Sequence, residues 1–190
     1  MPQLVLASSS PRRRDLLARM GVEPARIASP DIDERPLKAE LPRIYALRMA
    51  VEKARAVSRA ADEIVLAGDT TVAVGRRILP PATATDIQRN LLELLSGRRH
   101  HVLSAVCVID KDGRERTRIN DSIVRFKRLG TAEIDAYIGC GEGLGKAGGY
   151  AIQGRAEALI DWMAGSHSGV IGLPLYETRA LLIASGFPVG

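Results

Sequence analysis

The stretch from Gln3 to Arg14 constrains the fold more than any other part of the chain. Gln3–Ala7 reads QLVLA and stops at Ser8-Ser9-Ser10. A short apolar run bounded by turn-forming residues predicts a buried strand. Pro11 suits the first turn of a helix, where its missing N–H would have no partner anyway. Leu16, Leu17 and Met20 then recur at helical spacing up to Gly21, a residue suited to ending a helix. Arg12, Arg13 and Arg14 fill that first turn, against the positive end of the helix dipole. Exposed cations there cost roughly 0.3–1 kcal/mol each. Stability alone would favour Asp or Glu. Helix N–H groups together with guanidinium forks instead make a polyphosphate site, unless the arginines simply splay into water.

Further strands and helices alternate along the chain. Asp31 to Lys38 is polar and broken by proline, hence a loop. From Pro42 onward Ile44, Leu47, Val51, Ala54 and Val57 predict one face of a long helix. Glu63 to Gly68 reads as a buried strand, followed by an alternating stretch from Thr71 to Leu79 that turns at Gly75. Thr85 and Gln88 have capping-box spacing and open a helix to Leu95. His101–Ile109 and Arg114–Phe126 flank Lys111-Asp112-Gly113 as a long hairpin. A short helix over Thr131–Ile138 precedes a glycine-dense stretch to Gly149. Strands are expected at Tyr150–Ile152 and Ala158–Met163, and a last helix between Pro174 and Gly186. The hairpin breaks a pure βαβ pattern, so the expectation is a mixed-sheet α/β fold in one domain, residues 1–190.

Composition narrows the function. A chain of 190 residues with 46% hydrophobic content can bury one proper core. A net charge of +5 invites an anionic partner, but aromatic residues are only 4% of the chain. Single-strand nucleic-acid binders need aromatic faces for bases to stack on, so no nucleic-acid partner is expected. Cys107 and Cys140 lack metal-ligand or disulfide-scaffold spacing. No apolar run reaches the ~20 residues of a membrane span. The N-terminal apolar run meets the serines too early for a signal-peptide core. These points predict a cytoplasmic protein with no membrane partner.

Asp69 follows an apolar strand, at its expected carboxyl end, where ligand sites of α/β sheets lie. There it could ligate a metal, accept a proton from water, or only form a turn. Asp31, Asp33 and Glu34 could complete a metal site or merely solvate their loop. Lys53 lies near the apolar face of the long helix, and local sequence favours snorkelling to water over meeting a phosphate. His100, His101 and His167 lack metal-ligand spacing. Ser166-His167-Ser168 lacks the glycines of a nucleophile elbow. Gly143, Gly145 and Gly148 satisfy GxGxxG, yet a helix precedes them rather than a strand. Cys140 and Ala147 spoil the P-loop pattern. A loop carrying Glu142 and Lys146 remains, able to close over a ligand or only to connect elements.

Taken together, these segments resemble the Maf family of nucleoside triphosphate pyrophosphatases. LASSSPRRRDLL (Leu6–Leu17) is similar to the family's LASxSPRRxxLL signature. The likeness continues through DIDE (Asp31–Glu34), AVEKA (Ala50–Ala54), AGDT (Ala67–Thr70) and LSGRRHHV (Leu95–Val102). It ends with GKAGGYAIQG (Gly145–Gly154) and GLPLYET (Gly172–Thr178), so the blocks span nearly the whole chain in family order. The resemblance implies a Maf/ITPase-like α/β fold, a mixed sheet with flanking helices and two lobes around a nucleotide-binding cleft. It also implies a cytoplasmic homodimer that hydrolyses a nucleoside triphosphate to the monophosphate and pyrophosphate.

By position, the resemblance makes Asp69 the general base, Glu34 a catalytic acid or metal ligand, and Lys53 a catalytic and phosphate-binding residue. Asp69 and Glu34 would hold a divalent cation, Mg2+, Mn2+ or Co2+. Ser8, Ser10, Arg13 and Lys146 join Lys53 as phosphate-binding positions. Arg12, Thr70 and Gln153 match the type that prefers dTTP and UTP over the 7-methyl-GTP type. One position departs from the pattern. The family usually carries a lysine after the AGDT hairpin, where this chain has Pro81, which offers neither charge nor N–H. Arg76, Arg77 or Lys146 could stand in for it. The departure motivates an alternative: a weakly active nucleotide-binding regulator of cell division.

Overall fold

A single seven-stranded sheet organises the chain, and the computed structural model describes residues 2–190 of it. The strands are β1 (Gln3–Ala7), β2 (Arg26–Ala28), β3 (Glu63–Val74), β4 (Arg77–Leu79), β5 (Arg99–Ile109), β6 (Glu115–Phe126) and β7 (Ile160–Ala164). The helices are α1 (Pro11–Ala18), α2 (Pro42–Arg55), α3 (Thr85–Leu95), α4 (Thr131–Gly139), α5 (His167–Ile171) and α6 (Leu175–Ala184). The sheet order is β2-β1-β3-β5-β6-β7, with β4 paired to β3. β1 runs parallel to β2 and β3, while the pairings from β3 through β5 and β6 to β7 are antiparallel. The expected mixed α/β sheet is therefore present.

Alternation along the strands splits the core between the two faces of the sheet. Leu4, Leu6, Ile64 and Leu66 join Leu16, Leu17, Leu92, Leu95 and Phe126 in the larger cluster. Val5, Ala7, Val65, Ala67 and Ala105 form the smaller one with Ala46, Ala50 and Ala54 of α2. Those three alanines, four residues apart, make one flat stripe that lets α2 lie close to the strands. The buried face of α2 is thus Tyr45, Ala46, Met49, Ala50, Lys53 and Ala54. Ile44 is 55% exposed, and Leu47 and Val51 are only half-buried. The apolar face read from the sequence was rotated, because bulk was counted where the sheet required small side chains.

Several other boundaries differ from expectation. β3 runs unbroken through Asp69 and Thr70 to Val74, so Asp69 lies inside a strand, paired with Ala105. The Thr85–Gln88 capping box does not form: Ala84 is the N-cap residue and no side chain caps α3. Gln88 is instead buried. Tyr150–Ile152 forms no strand, and a single 3-10 turn over Arg155–Leu159 leads into β7. α5 was not expected, since its five residues are too few to show a helical period.

A buried imidazole gives the fold a pH dependence. His100 is fully buried, with Nε2 2.7 Å from the Tyr150 hydroxyl and its ring stacked on Phe126. Burial pushes the imidazole down to about 4, so it is neutral in the folded protein. In unfolded chain it titrates near 6.5. The unfolded state therefore binds more protons between these values, and stability falls as the pH drops through that window. The loss should approach roughly 3 kcal/mol by pH 4. Thermal denaturation of the wild type and His100→Gln between pH 7 and 4 checks this; the variant should show a flatter profile.

Candidate active site

The site forms where one edge of β3 is left unpaired. β5 covers the other edge of β3 continuously from Val65 to Ala73. On the open edge β1 pairs with Glu63–Ala67 and β4 with Val72–Val74. Gly68–Thr71 lie in the gap between them, directly beyond the end of β1. The gap therefore sits at the carboxyl end of a strand, though that strand is β1 and not the one carrying Asp69. Parity then divides the groups. Asp69 and Thr71 point to the face covered by α2, while Gly68 and Thr70 point to the face of α1 and α5.

On the α2 face, Lys53 is held between two carboxylates. Its Nζ donates to Asp69 Oδ1 and to Glu34 Oε2, each at 2.8 Å. Thr71 Oγ1 donates to the second Asp69 oxygen at 2.8 Å. Lys53 is only 7% exposed and Asp69 6%, so this is an interior ion pair, and the expected snorkelling does not occur. Glu34 arrives from the 31–38 loop, whose backbone is tied down by the Tyr45 hydroxyl donating to Glu34 O at 2.8 Å. α2 thus supplies both the lysine and the tether. Asp33 pairs instead with Arg35 at the surface, which holds its carboxyl down at about 2.

On the opposite face Arg13 is fixed by three contacts. Its Nε donates to Gly172 O at 2.9 Å, and its two terminal nitrogens donate to Ser8 Oγ at 3.0 Å and Thr70 Oγ1 at 3.5 Å. Gly68 lies beside this guanidinium; a Cβ there would be tight against Ala105 O at 3.2 Å and in ordinary contact with Arg13 Nε at 3.5 Å. Burial lowers the Arg13 pKa, and Asp69 and Glu34 push it back up. Arg12 is lowered by burial and by Arg13, and Lys146 by burial and by Arg12. These cations therefore repel one another across the cleft, and a bound anion would relieve that repulsion.

The cleft, about 170 Å³, is lined by Ser10, Arg12, Arg13, Glu34, Lys53, Asp69, Thr70, Pro81 and Lys146. It brings together most of the residues singled out in the sequence. Ser8 is buried and does not line it; its hydroxyl accepts from Arg13 and from Ser10 N–H. Gln153 is exposed and lies outside the lining. Arg76 and Arg77 also lie outside it, leaving Lys146 as the cation beside Pro81. The sequence reading missed Thr71, Tyr45, Tyr150 and Gly172. Gly172 opens the GLPLYET block, which was the available signal; nothing local distinguishes Tyr45 from any core tyrosine.

The donor set fits a hard divalent cation. Asp69 Oδ1 and Glu34 Oε2 both accept from the Lys53 ammonium, which holds the two carboxylates side by side with lone pairs to spare for a second cation. Among the described residues no group of three or more His, Cys, Asp or Glu side chains could form a metal cage. A cation here would take one or two carboxylates and complete its shell with phosphate oxygens and water, which is the habit of Mg2+. Among the described residues, no helix is long and apolar enough to cross a membrane.

A family model described as Maf-like protein matches residues 3–185. A relative from Sphingopyxis alaskensis, named dTTP/UTP pyrophosphatase, is 67% identical over 100% of both chains. Another of that name from Novosphingobium aromaticivorans is 59% identical, covering 99% of this chain and 94% of its own. A third from Caulobacter vibrioides is 54% identical over 98% and 97%. In fold alone, the chain is similar to the Ham1 protein of Staphylococcus aureus, with a TM-score of 0.52 at 12% identity over 96% of each chain.

Proposed function

The chain belongs to the Maf family, and from that premise we infer that it is a pyrophosphatase hydrolysing dTTP and UTP to the monophosphate and pyrophosphate. The observation that carries this reading is the meeting of two unlike walls in one cleft: the Asp69–Lys53–Glu34 cluster faces Arg12, Arg13 and Lys146. In the reaction, water attacks the α-phosphorus and the bond from that phosphorus to the bridging oxygen breaks. The bridging oxygen leaves with pyrophosphate, and the water's proton passes to a base. Asp69 is that base, because its carboxylate is fixed by Lys53 and Thr71 and borders the cleft. Proton acceptance by a positioned group contributes typically 10²–10⁴-fold.

Negative charge grows on the bridging oxygen and on the leaving pyrophosphate. Arg12, Lys146 and the free N–H groups of Arg13 stand ready for it, alongside Ser10 at the start of α1. Preorganised donors aimed at developing charge cost no reorganisation during the reaction. A divalent cation such as Mg2+, Mn2+ or Co2+, held by Asp69 and Glu34, would add positive charge beside the phosphates when bound. Lys53 keeps both carboxylates aligned. Ser8 acts through Arg13. Arg12, Thr70 and Gln153 carry the preference for dTTP and UTP, Gln153 from outside the cleft lining.

Pro81 favoured a weakly active binder in the sequence. Support for turnover comes from the antiparallel contact of Pro81 with Ala147, in which Ala82 N–H donates to Lys146 O at 3.0 Å and Gly145 N–H to Ala82 O at 2.8 Å. That pairing brings a lysine to the position where Pro81 brings none. Pyrophosphate release over dTTP, UTP, CTP and 7-methyl-GTP, with Mg2+ or Mn2+, tests the reading. Release is expected from dTTP and UTP. Preference for 7-methyl-GTP would move the chain to the other type, and no release from any substrate would sink the enzyme. The same reading carries a cytoplasmic homodimer, with light scattering of the purified protein testing the dimer.

A further inference from the structure

The expected capping residue Gln88 has a different occupation, and it leads to the cleft. Gln88 lies on α3, is 0% exposed, and its Nε2 donates to Gly149 O at 3.0 Å. Its other amide atom, Oε1, has no hydrogen-bond partner among the described residues. The backbone crowds this bond from both sides. A Cβ on Gly143 would fall 2.0 Å from Gly149 O and 2.2 Å from Gln88 Nε2. Gly149, at φ +74°, would bring a Cβ within 3.2 Å of Gln88 Cγ. The segment between these glycines holds Lys146. The segment is also pinned by Ala82 N–H to Lys146 O and by Gly148 N–H to Pro80 O, at 3.0 and 3.3 Å. The Lys146 ammonium itself has only a long contact, 3.5 Å to Leu144 O.

We propose that Gln88 is a positioning residue for the triphosphate site: it clamps the Gly143–Gly149 segment to α3 and so holds Lys146 beside Pro81. The proposal rests on the reading that Lys146 meets the substrate phosphates. The half-satisfied amide supports a positioning role, since its unpartnered Oε1 carries a cost that offsets much of what the single bond to Gly149 O contributes to stability. Without the clamp the segment is held only by its backbone bonds to Pro80 and Ala82, the lysine ranges more widely, and the effect should fall on substrate affinity more than on chemistry.

The test combines Gln88→Met, Lys146→Ala and the double variant, with kcat and KM measured for UTP and thermal midpoints for all four proteins. Gln88→Met should stay folded with a midpoint at or modestly below wild type, because it strands Gly149 O while removing the orphaned Oε1. It should raise KM about tenfold and change kcat little. Lys146→Ala should raise KM at least as much, and the double variant no further than Lys146→Ala alone. Additive losses, or wild-type KM in Gln88→Met, would overturn the clamp while leaving Lys146 in its role. Wild-type KM in Lys146→Ala would remove the phosphate contact and the clamp's purpose with it. Should Gln88→Met fold poorly, Gln88→Asn, one methylene short of Gly149, reads the same coupling.

Discussion

Replacing Asp69 with Asn is expected to lower kcat by about 10³-fold while leaving the fold and KM nearly intact. The substitution keeps the shape of the side chain. The amide oxygen can still accept from Lys53, now 2.8 Å from Oδ1. The amide nitrogen would then face Thr71 Oγ1, a hydroxyl that can rotate to accept. What is lost is the negative charge, and with it the proposed capacity to take a proton from water at the α-phosphorus and to help Glu34 hold a cation. Because the surrounding bonds can be remade, a large fall in kcat would report the chemistry and not a collapsed strand. Steady-state pyrophosphate release and a thermal midpoint together check this. Turnover within a few-fold of wild type would take the base role away from Asp69.

Much of this site could be read from the chain alone, because the relevant signals were local. A five-residue apolar run, serines, a proline and three arginines are enough to specify a strand, a tight turn and a cationic helix start. What stayed hidden depends on partners distant in sequence. Lys53 reads as a snorkelling helix lysine until Asp69 and Glu34 are seen on either side of it. Asp69 reads as a residue ending a strand, because the sequence cannot show that β5 continues the pairing past it. Gln88 reads as a cap because its true partner, Gly149 O, lies 61 residues away. The phase of α2 was missed for a related reason. Small residues pack tightly against a sheet, and that is invisible to a count of bulky ones.

Register explains why the cleft has two unlike walls. Successive β3 residues face opposite sides, so Asp69 and Thr71 meet α2 while Gly68 and Thr70 meet α1 and α5. The gap between β1 and β4 opens both faces at once. A carboxylate–lysine cluster and an arginine held by Gly172 O can therefore approach one ligand from two directions. A one-residue slip in β3 would exchange the faces and separate Asp69 from Lys53. The long pairing of β3 with β5, from Val65 to Ala73, guards against that slip.

Lys53→Met should be the most damaging single change at this site to stability, and it should lower activity as well. Methionine matches the lysine stem in length but leaves Asp69, 8% exposed at its side chain, without its cation. Breaking a buried pair by removing one partner costs about 3–5 kcal/mol, because the remaining charge is desolvated and uncompensated. Glu34 suffers less, since its side chain is 54% exposed. Asp69 would also lose the bond from Lys53 that fixes its Oδ1 at the cleft. With the base no longer positioned, activity should fall by about 10² or more. Adding Asp69→Asn to this background removes the stranded charge. The double variant should thus melt higher than Lys53→Met alone, although it stays inactive. A double variant no more stable than the single one would show that the Lys53–Asp69 pair is not what the fold depends on.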